Sequence, residues 1–414
     1  MFTQLGRGLS RPNHNQTTTP AHFNTNMQTI AAIGDSLVAQ HSSMGPNINA
    51  FENVGWLNVV NYKMHNRFIF NHNLNFGLSG DTTSGMNARK ESMAGFGANI
   101  YFVLGGTNDI ADKAPASSII SNLNDIFTYI KNTLGGIVYA VTILPRSFWP
   151  SSFSQADINQ AKSDIITINN WIKSQTGIHI IDAYSLWDDG LGEPMNGYDI
   201  DGVHCAPTGA SVIADEIISH LMPTYGLGAP LNLNTNIFDN GTLSGIGGTI
   251  PEGCNGVSAS NYSIQTIGAT TDNSWRSFSK NENDALEINI SAPQGNGTVG
   301  IILSQRINEG SDYDNNVQLK SACHLDIKTV NGDFDSINYE IRHEGSPNGN
   351  EYIISMDESA SAPIPNYGEG VMRTPNFVPT NSTRLRGRVI ISGNTSNGPI
   401  NCRVIIKGMH IGVV

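Results

Sequence analysis

Between residues 27 and 222 short apolar runs alternate with stretches whose apolar residues recur at helical spacing. The runs at 27–33, 67–73, 99–104, 136–143 and 178–182 predict strands. Between them, Ile119, Ile120, Leu123, Ile126, Phe127, Ile130 and Leu134 fall on one helical face, as do Ile158, Ala161, Ile165, Ile168 and Ile172. Strand followed by helix, repeated, predicts a parallel sheet covered on both faces, because each parallel crossover needs a connection long enough to hold a helix. The last helix of this unit is read at 208–222, followed by Pro223 and a Gly-, Pro- and Asn-rich stretch at 226–235 that marks a boundary.

Beyond the boundary the pattern becomes short β-type runs, at 286–290, 298–303, 324–330, 352–356, 386–391 and 402–406, separated by turn signals such as Asn331-Gly332 and the segment 394–398. Many short strands with Gly/Asn turns predict a β-sandwich or jelly roll. The first 26 residues are polar, with Thr17, Thr18 and Thr19 between Pro12 and Pro20. The resulting division is an N-terminal arm at 1–26, an α/β domain at 27–225, a linker at 226–235 and an all-β domain at 236–414. No repeat of fixed period is present.

Length supports two domains, since single domains commonly run to about 100–200 residues and the chain has 414. Only 14% of residues are charged, and 43 glycines with many Asn and Ser give a neutral, polar, turn-rich surface that suits an extracellular or virion setting. A net charge of −12 argues against nucleic acid or an anionic membrane as partner, both of which need a basic patch. Neutral sugars stay open. No run approaches the roughly 18–20 apolar residues of a membrane span, and the polar start has no secretory h-region. The expectation is a signal removed or an exit by another route, such as lysis with a phage particle. Cys205, Cys254, Cys323 and Cys402 are too scattered for a disulfide framework or a metal-ligand set.

The chemistry sits in four islands. Ser36, in Ile33-Gly34-Asp35-Ser36-Leu37, follows an apolar run as a nucleophile at a strand-to-helix turn would. A serine hydroxyl needs a base to take its proton, and His204 is the histidine with a partner at fixed spacing, Asp201, able to orient its ring. Gly80, in Ser79-Gly80-Asp81-Thr82, offers a backbone N–H unobstructed by a Cβ, and Asn108, in Gly105-Gly106-Thr107-Asn108-Asp109, offers a side-chain amide. With the Ser36 N–H these would form an oxyanion hole. A lone Gly-Asp-Ser-Leu is often only a capped turn, and each glycine or Asn only a turn residue. The order and context of the four islands together argue for catalysis.

On these motifs the chain resembles a GDSL-type esterase of the SGNH hydrolase superfamily over about residues 27–222. The resemblance implies a flavodoxin-like three-layer α/β/α fold, Ser36 as nucleophile, His204 as base, Asp201 as its partner, an oxyanion hole of Ser36, Gly80 and Asn108, and no cofactor or metal. Candidate substrate-binding residues are His41, in the long polar segment 38–53, Phe148 and Trp149 in 145–153, and Trp187 upstream of the Asp-His loop. The other histidines read as surface or core residues and Cys205 as a packed thiol. The segment 311–316 has calcium-loop texture but lacks the glycine and terminal glutamate of an EF-hand.

The opening of the β domain, 234–253, resembles jelly-roll modules that follow SGNH domains in phage-tail and other polysaccharide-directed proteins. That resemblance implies an O-acetylated polysaccharide as substrate and a homo-oligomer, for which a trimer is the expectation. The leading reading is a polysaccharide O-acetylesterase working through an acyl-enzyme. Its alternatives are a lipid or aryl esterase or thioesterase, and a catalytically idle glycan-binding adhesin.

Overall fold

The computed structural model describes residues 27–45, 48–229, 231, 236–268, 272–345, 351–357, 364–379 and 382–414. The expected N-terminal arm and much of the expected linker lie outside the described residues. The first unit is built on strand β1 (Gln28–Gly34), whose last five residues are buried. The helix α1 (Ser36–Ala39) follows after a single residue, Asp35. A hairpin of β2 (Ser42–Gly45) and β3 (Ile48–Glu52) comes next, then α2 (Trp56–Lys63), β4 (Phe68–Ile69), β5 (Asn75–Gly77), α3 (Thr83–Arg89), β6 (Ile100–Leu104), α4 (Thr107–Ala111), α5 (Ala116–Tyr129), β7 (Ile137–Val141), α6 (Gln155–Ser174), β8 (His179–Ile181), α7 (Ala183–Trp187) and α8 (Pro207–Tyr225).

These strands form a wholly parallel sheet in the order β4-β1-β6-β7-β8, with β5 also on β1. β4 pairs with Gln28 and Thr29 at one end of β1, and β5 with Ala32, Ile33 and Gly34 at the other. Together they make one interrupted second strand and the flavodoxin-like order 2-1-3-4-5. The interruption corrects the strand expected at 67–73: the Asn71 side chain accepts from the Asn73 N–H at 3.0 Å and bends the chain into a 3₁₀ turn at His72–Leu74, which buries Leu74. Helices α3, α5 and α6 pack together, and α2 packs with α8. α6 begins with a reciprocal capping box between Ser154 and Asp157. α8 runs through Pro223 to Tyr225, past the expected end.

The rest of the chain is β: β9 (Asn255–Gly256), β10 (Ser263–Ile267), β11 (Arg276–Lys280), β12 (Leu286–Ala292), β13 (Thr298–Asn308), β14 (Leu319–Asn331), β15 (Asp333–Glu344), β16 (Glu351–Asp357), β17 (Gly368–Arg373), β18 (Arg384–Asn394) and β19 (Ile400–Val413). They form two largely antiparallel sheets, β10-β13-β18-β15-β16-β3-β2 and β17-β14-β19-β12-β11-β9. Alternation is clear where one face is wet, as in β12, where Leu286, Ile288, Ile290 and Ala292 are buried and Ser291 is exposed. The β14–β15 turn is the Asn331-Gly332 signal, with Gly332 at φ +97°.

The segment 38–53, expected as a substrate wall, instead supplies two strands to the β region: β3 lies parallel to β16 at the edge of the larger sheet. The α/β unit also docks directly on β17. Tyr62 donates its hydroxyl proton to Gly368 O at 2.7 Å, Asn66 Nδ2 donates to Val371 O at 3.2 Å, and Gly370 leaves room for the Tyr62 ring, which a Cβ would meet at 2.6 Å. The four cysteines are free thiols.

Candidate active site

Three parallel strands end in register. Gly34 of β1 is opposite Gly77 of β5 and Leu104 of β6. The loops that leave these ends carry Ser36, Gly80 and Asn108, so the sheet delivers all three to its carboxyl edge, where open α/β sheets bind ligands. Arg89 clamps this edge. Its guanidinium donates to Gly34 O at 2.9 Å and Phe76 O at 2.7 Å, and its Nε pairs with Asp81 at 2.7 Å.

Asp35 caps α1 by accepting from the Leu37 N–H at 2.9 Å, which turns Ser36 onto the first helical position. The Ser36 N–H therefore belongs to a first turn, which leaves it without an i−4 carbonyl. His204 Nε2 is 2.9 Å from Ser36 Oγ, and His204 Nδ1 is 2.7 Å from Asp201 Oδ2. The network assigns the tautomer: Nδ1–H donates to the carboxylate, and Nε2 accepts the serine proton. Asp201 also accepts from the N–H groups of Val203 and His204 through Oδ1, at 3.0 and 2.9 Å. Partial burial pushes the Asp201 carboxyl up, but the bonds from His204 and Val203 outweigh this and hold it below its ordinary value. A carboxylate fixed at both oxygens keeps the imidazole in one orientation.

The Asp-His loop is itself a small hairpin. Ile200 N–H donates to His204 O at 3.0 Å and Ala206 N–H to Tyr198 O at 2.8 Å. At its tip Gly202, with φ +86°, accepts from the Ser147 N–H at 2.9 Å, and a Cβ there would strike Phe148 N at 2.7 Å. Only glycine fits that close approach.

Gly80 has φ +78°, and a Cβ would meet nothing within 4 Å, so its turn faces open space. Asn108 Nδ2 donates one proton to Asp81 O at 2.8 Å, which fixes the amide plane and leaves its second proton to point elsewhere. The two loops are tied by the neighbouring Asp109, whose carboxylate accepts from Thr83 N–H at 2.8 Å and Thr83 Oγ1 at 2.7 Å.

The candidate substrate residues divide. Phe148 is 61% exposed and lies against the Asp-His loop through Gly202. His41 is buried edge-on between Trp56 and Phe70, with ring centroids at 4.5 and 5.6 Å, so it faces core rather than substrate. Trp187 is likewise buried and donates its indole N–H to Gly209 O at 3.2 Å. The sequence places both in segments next to the active edge without showing which way their side chains point. Trp149 is half-buried, with the Arg146 guanidinium 5.0 Å from its ring and Phe153 stacked at 5.9 Å.

Sequence reading passed over Asp35, Asp109 and Arg146. Asp35 is fully buried, and burial raises its carboxyl to about 7, against the lowering effect of the Leu37 N–H. Its Oδ2 has no hydrogen-bond partner among the described residues. Arg146 is buried and donates to Thr107 O at 2.7 Å and Phe148 O at 2.9 Å, so it joins the loop before Asn108 to the loop that carries Phe148. The motifs themselves pointed to Asp35 and Asp109, which adjoin Ser36 and Asn108; nothing local marked Arg146.

The α/β unit has the fold of an SGNH hydrolase domain, a doubly wound sheet with a hydrogen-bonded Ser-His-Asp relay at its carboxyl edge, and is followed by a largely β region. Residues 32–212 match the model of the GDSL-like Lipase/Acylhydrolase family. No curated protein sequence matches the chain. Among similar solved structures are a GDSL-like lipase from Bacteroides thetaiotaomicron, at 17% identity, covering 47% of this chain and 87% of that one with a TM-score of 0.37. Another is the lipase/acylhydrolase from Enterococcus faecalis, at 17% identity, with 47% and 95% covered and a TM-score of 0.36. A catalytic mutant of an acetylxylan esterase from Geobacillus stearothermophilus has 14% identity, with 50% and 100% covered and a TM-score of 0.35. Among the described residues no helix is long and apolar enough to cross a membrane.

Proposed function

We propose that this protein is a serine esterase that removes O-acetyl groups from a polysaccharide through an acyl-enzyme intermediate. The observation that carries this reading is the continuous relay Ser36 Oγ, His204 Nε2, His204 Nδ1, Asp201 Oδ2. Ser36 Oγ attacks the acetyl carbonyl while His204 takes the hydroxyl proton. The tetrahedral oxyanion is met by the N–H groups of Ser36 and Gly80 and by the Asn108 amide. His204 then returns the proton to the leaving sugar oxygen, which leaves acetyl-Ser36. Water, deprotonated by His204, releases acetate and restores the serine.

Three features support a polymer with a short acyl group. The relay is open to solvent, the Asp201 side chain being 51% and the His204 side chain 28% exposed. A large cavity, about 1340 Å³, is lined by Met27, Arg67 and Ile69 at the opposite end of the sheet and by none of the relay residues, so this space does not serve as an acyl pocket for Ser36. Phe148 presents an exposed ring beside the Asp-His loop, a surface on which a sugar can stack. The β region is proposed to hold the glycan or assemble a trimer on an extracellular or virion particle, as its jelly-roll texture suggests.

The test is acetate release from a panel of O-acetylated polysaccharides and simple acyl esters, wild type beside Ser36→Ala. Serine-dependent acetate release with short-chain preference is expected. Cleavage confined to long-chain or aryl esters would replace this reading with a lipid or aryl esterase, and glycan retention without hydrolysis in either protein would make it an adhesin.

A further inference from the structure

A second constellation lies where the α/β unit meets the β region, away from Ser36. His65 follows α2, His324 lies on β14 and Glu369 on β17, and one ligand atom from each falls within 4.8 Å of the other two. We propose that these three side chains bind a divalent transition-metal ion of the Zn²⁺ class, which fastens the catalytic domain to the β region.

Two imidazoles and a carboxylate form a donor set that zinc accepts, with a fourth position left for water. Bonds of about 2.1 Å in a tetrahedron put ligand atoms about 3.4 Å apart, and the present separations, all within 4.8 Å, are near that spacing. His324 Nε2 is already 2.9 Å from Glu369 Oε1. The sheet register holds that pair, because His324 is opposite Val371 and Asp326 opposite Glu369, which makes His324 and Glu369 diagonal neighbours.

His65 reaches them from the turn after α2. His65 and Asn66 both have left-handed φ, +55° and +54°, and Asn66 Nδ2 donates to Val371 O at 3.2 Å. His65 O lies so near Gly228 that a Cβ there would meet it at 2.1 Å. The His65 and His324 rings are 5.2 Å apart. Metal entry replaces the His324–Glu369 hydrogen bond, and the His324 proton then resides on Nδ1. Lys407 Nζ is 2.6 Å from Glu369 Oε1 and is the group with which the metal competes.

The test uses the full chain stripped with a chelator and titrated with Zn²⁺ by calorimetry, with Co²⁺ as spectroscopic probe and melting curves alongside. One equivalent is expected to bind and raise the Tm, with visible Co²⁺ bands of tetrahedral intensity. His65→Gln and His324→Gln should each weaken binding by about tenfold or more, and Lys407→Met should tighten it. Ester hydrolysis should be unchanged by metal, since Ser36 does not use it. If a histidine variant fails to fold, Glu369→Gln, on an exposed side chain, gives the same comparison. Absence of both heat and Tm shift, or binding that survives these substitutions undiminished, would overturn the site.

Discussion

Asp109 accepts two hydrogen bonds from Thr83, one from its N–H at 2.8 Å and one from its hydroxyl at 2.7 Å, and thereby locks the loop that carries Gly80 to the loop that carries Asn108. Both proposed oxyanion donors are thus set by a carboxylate that need not touch substrate. Asp109→Asn replaces one acceptor oxygen with a donor facing the Thr83 N–H, so kcat is expected to fall by about tenfold or more with KM little changed. Steady-state kinetics on an acetyl ester measure that split, and an equal rise in KM would argue for a merely structural role.

Removing the nucleophile has the largest expected effect. Ser36→Ala should lower kcat by about 10⁴-fold or more, with the fold intact, because the side chain is small and partly exposed. Asp201→Asn should cost on the order of 10²–10⁴, since the amide cannot hold the imidazole in the same tautomer and orientation. Intact-mass spectrometry after a slow-turnover acyl ester should find the adduct on the wild type and none on Ser36→Ala.

Loss of one oxyanion donor should be graded. Asn108→Ala is expected to reduce kcat by about 10²–10³. Gly80→Ala is expected to act differently, because its Cβ has room but its φ of +78° is costly for alanine, so stability should fall by about 1 kcal/mol as well. Chemical denaturation beside kinetics separates the two effects.

Two buried titrating groups give opposite pH trends. Asp35 has its carboxyl raised to about 7 by burial, so the folded chain holds a proton that the unfolded chain loses near 4; that stabilisation is full below pH 4 and is lost as pH rises through 7. Asp35→Asn should therefore flatten the decline in Tm between pH 5 and 8. His41 is lowered by burial to about 3, so its contribution is present above about pH 6.5 and is lost as pH falls towards 3. His41→Phe, of similar shape between Trp56 and Phe70, should reduce acid sensitivity. Melting curves across pH read both, and a wild-type slope in either variant would contradict the assignment.

Phe148 is the exposed ring beside the relay. Phe148→Ala should raise KM for an acetylated polysaccharide by about tenfold, on the order of one aromatic contact, while leaving small acyl esters unaffected. An equal effect on both substrates would place the ring at the acyl group instead.

The sequence by itself determined the α/β frame and the composition of the relay. A parallel sheet covered by helices was legible because buried parallel strands read as continuous apolar runs, and because residues such as Ile158, Ala161, Ile165, Ile168 and Ile172 repeat at helical spacing, whereas the strand order came from the fold. Ser36, Asp201 and His204 were legible because their spacing to local turns is short-range information. Other features were decided by tertiary structure alone. His41, in the turn after α1, and Trp187, at the end of α7, lie in stretches whose sequence looks polar, yet their rings turn inward, since a side chain's direction depends on which neighbour offers apolar surface to bury it. The hairpin β2–β3 joins a strand, β16, about three hundred residues further on, a pairing that no local pattern specifies. The same holds for the clamp of Arg89 on β1 and β5, for the buried Arg146, and for the meeting of His65 with His324 and Glu369. Contacts between distant segments are set by how whole layers pack, and that is the part of the information that only the folded chain contains.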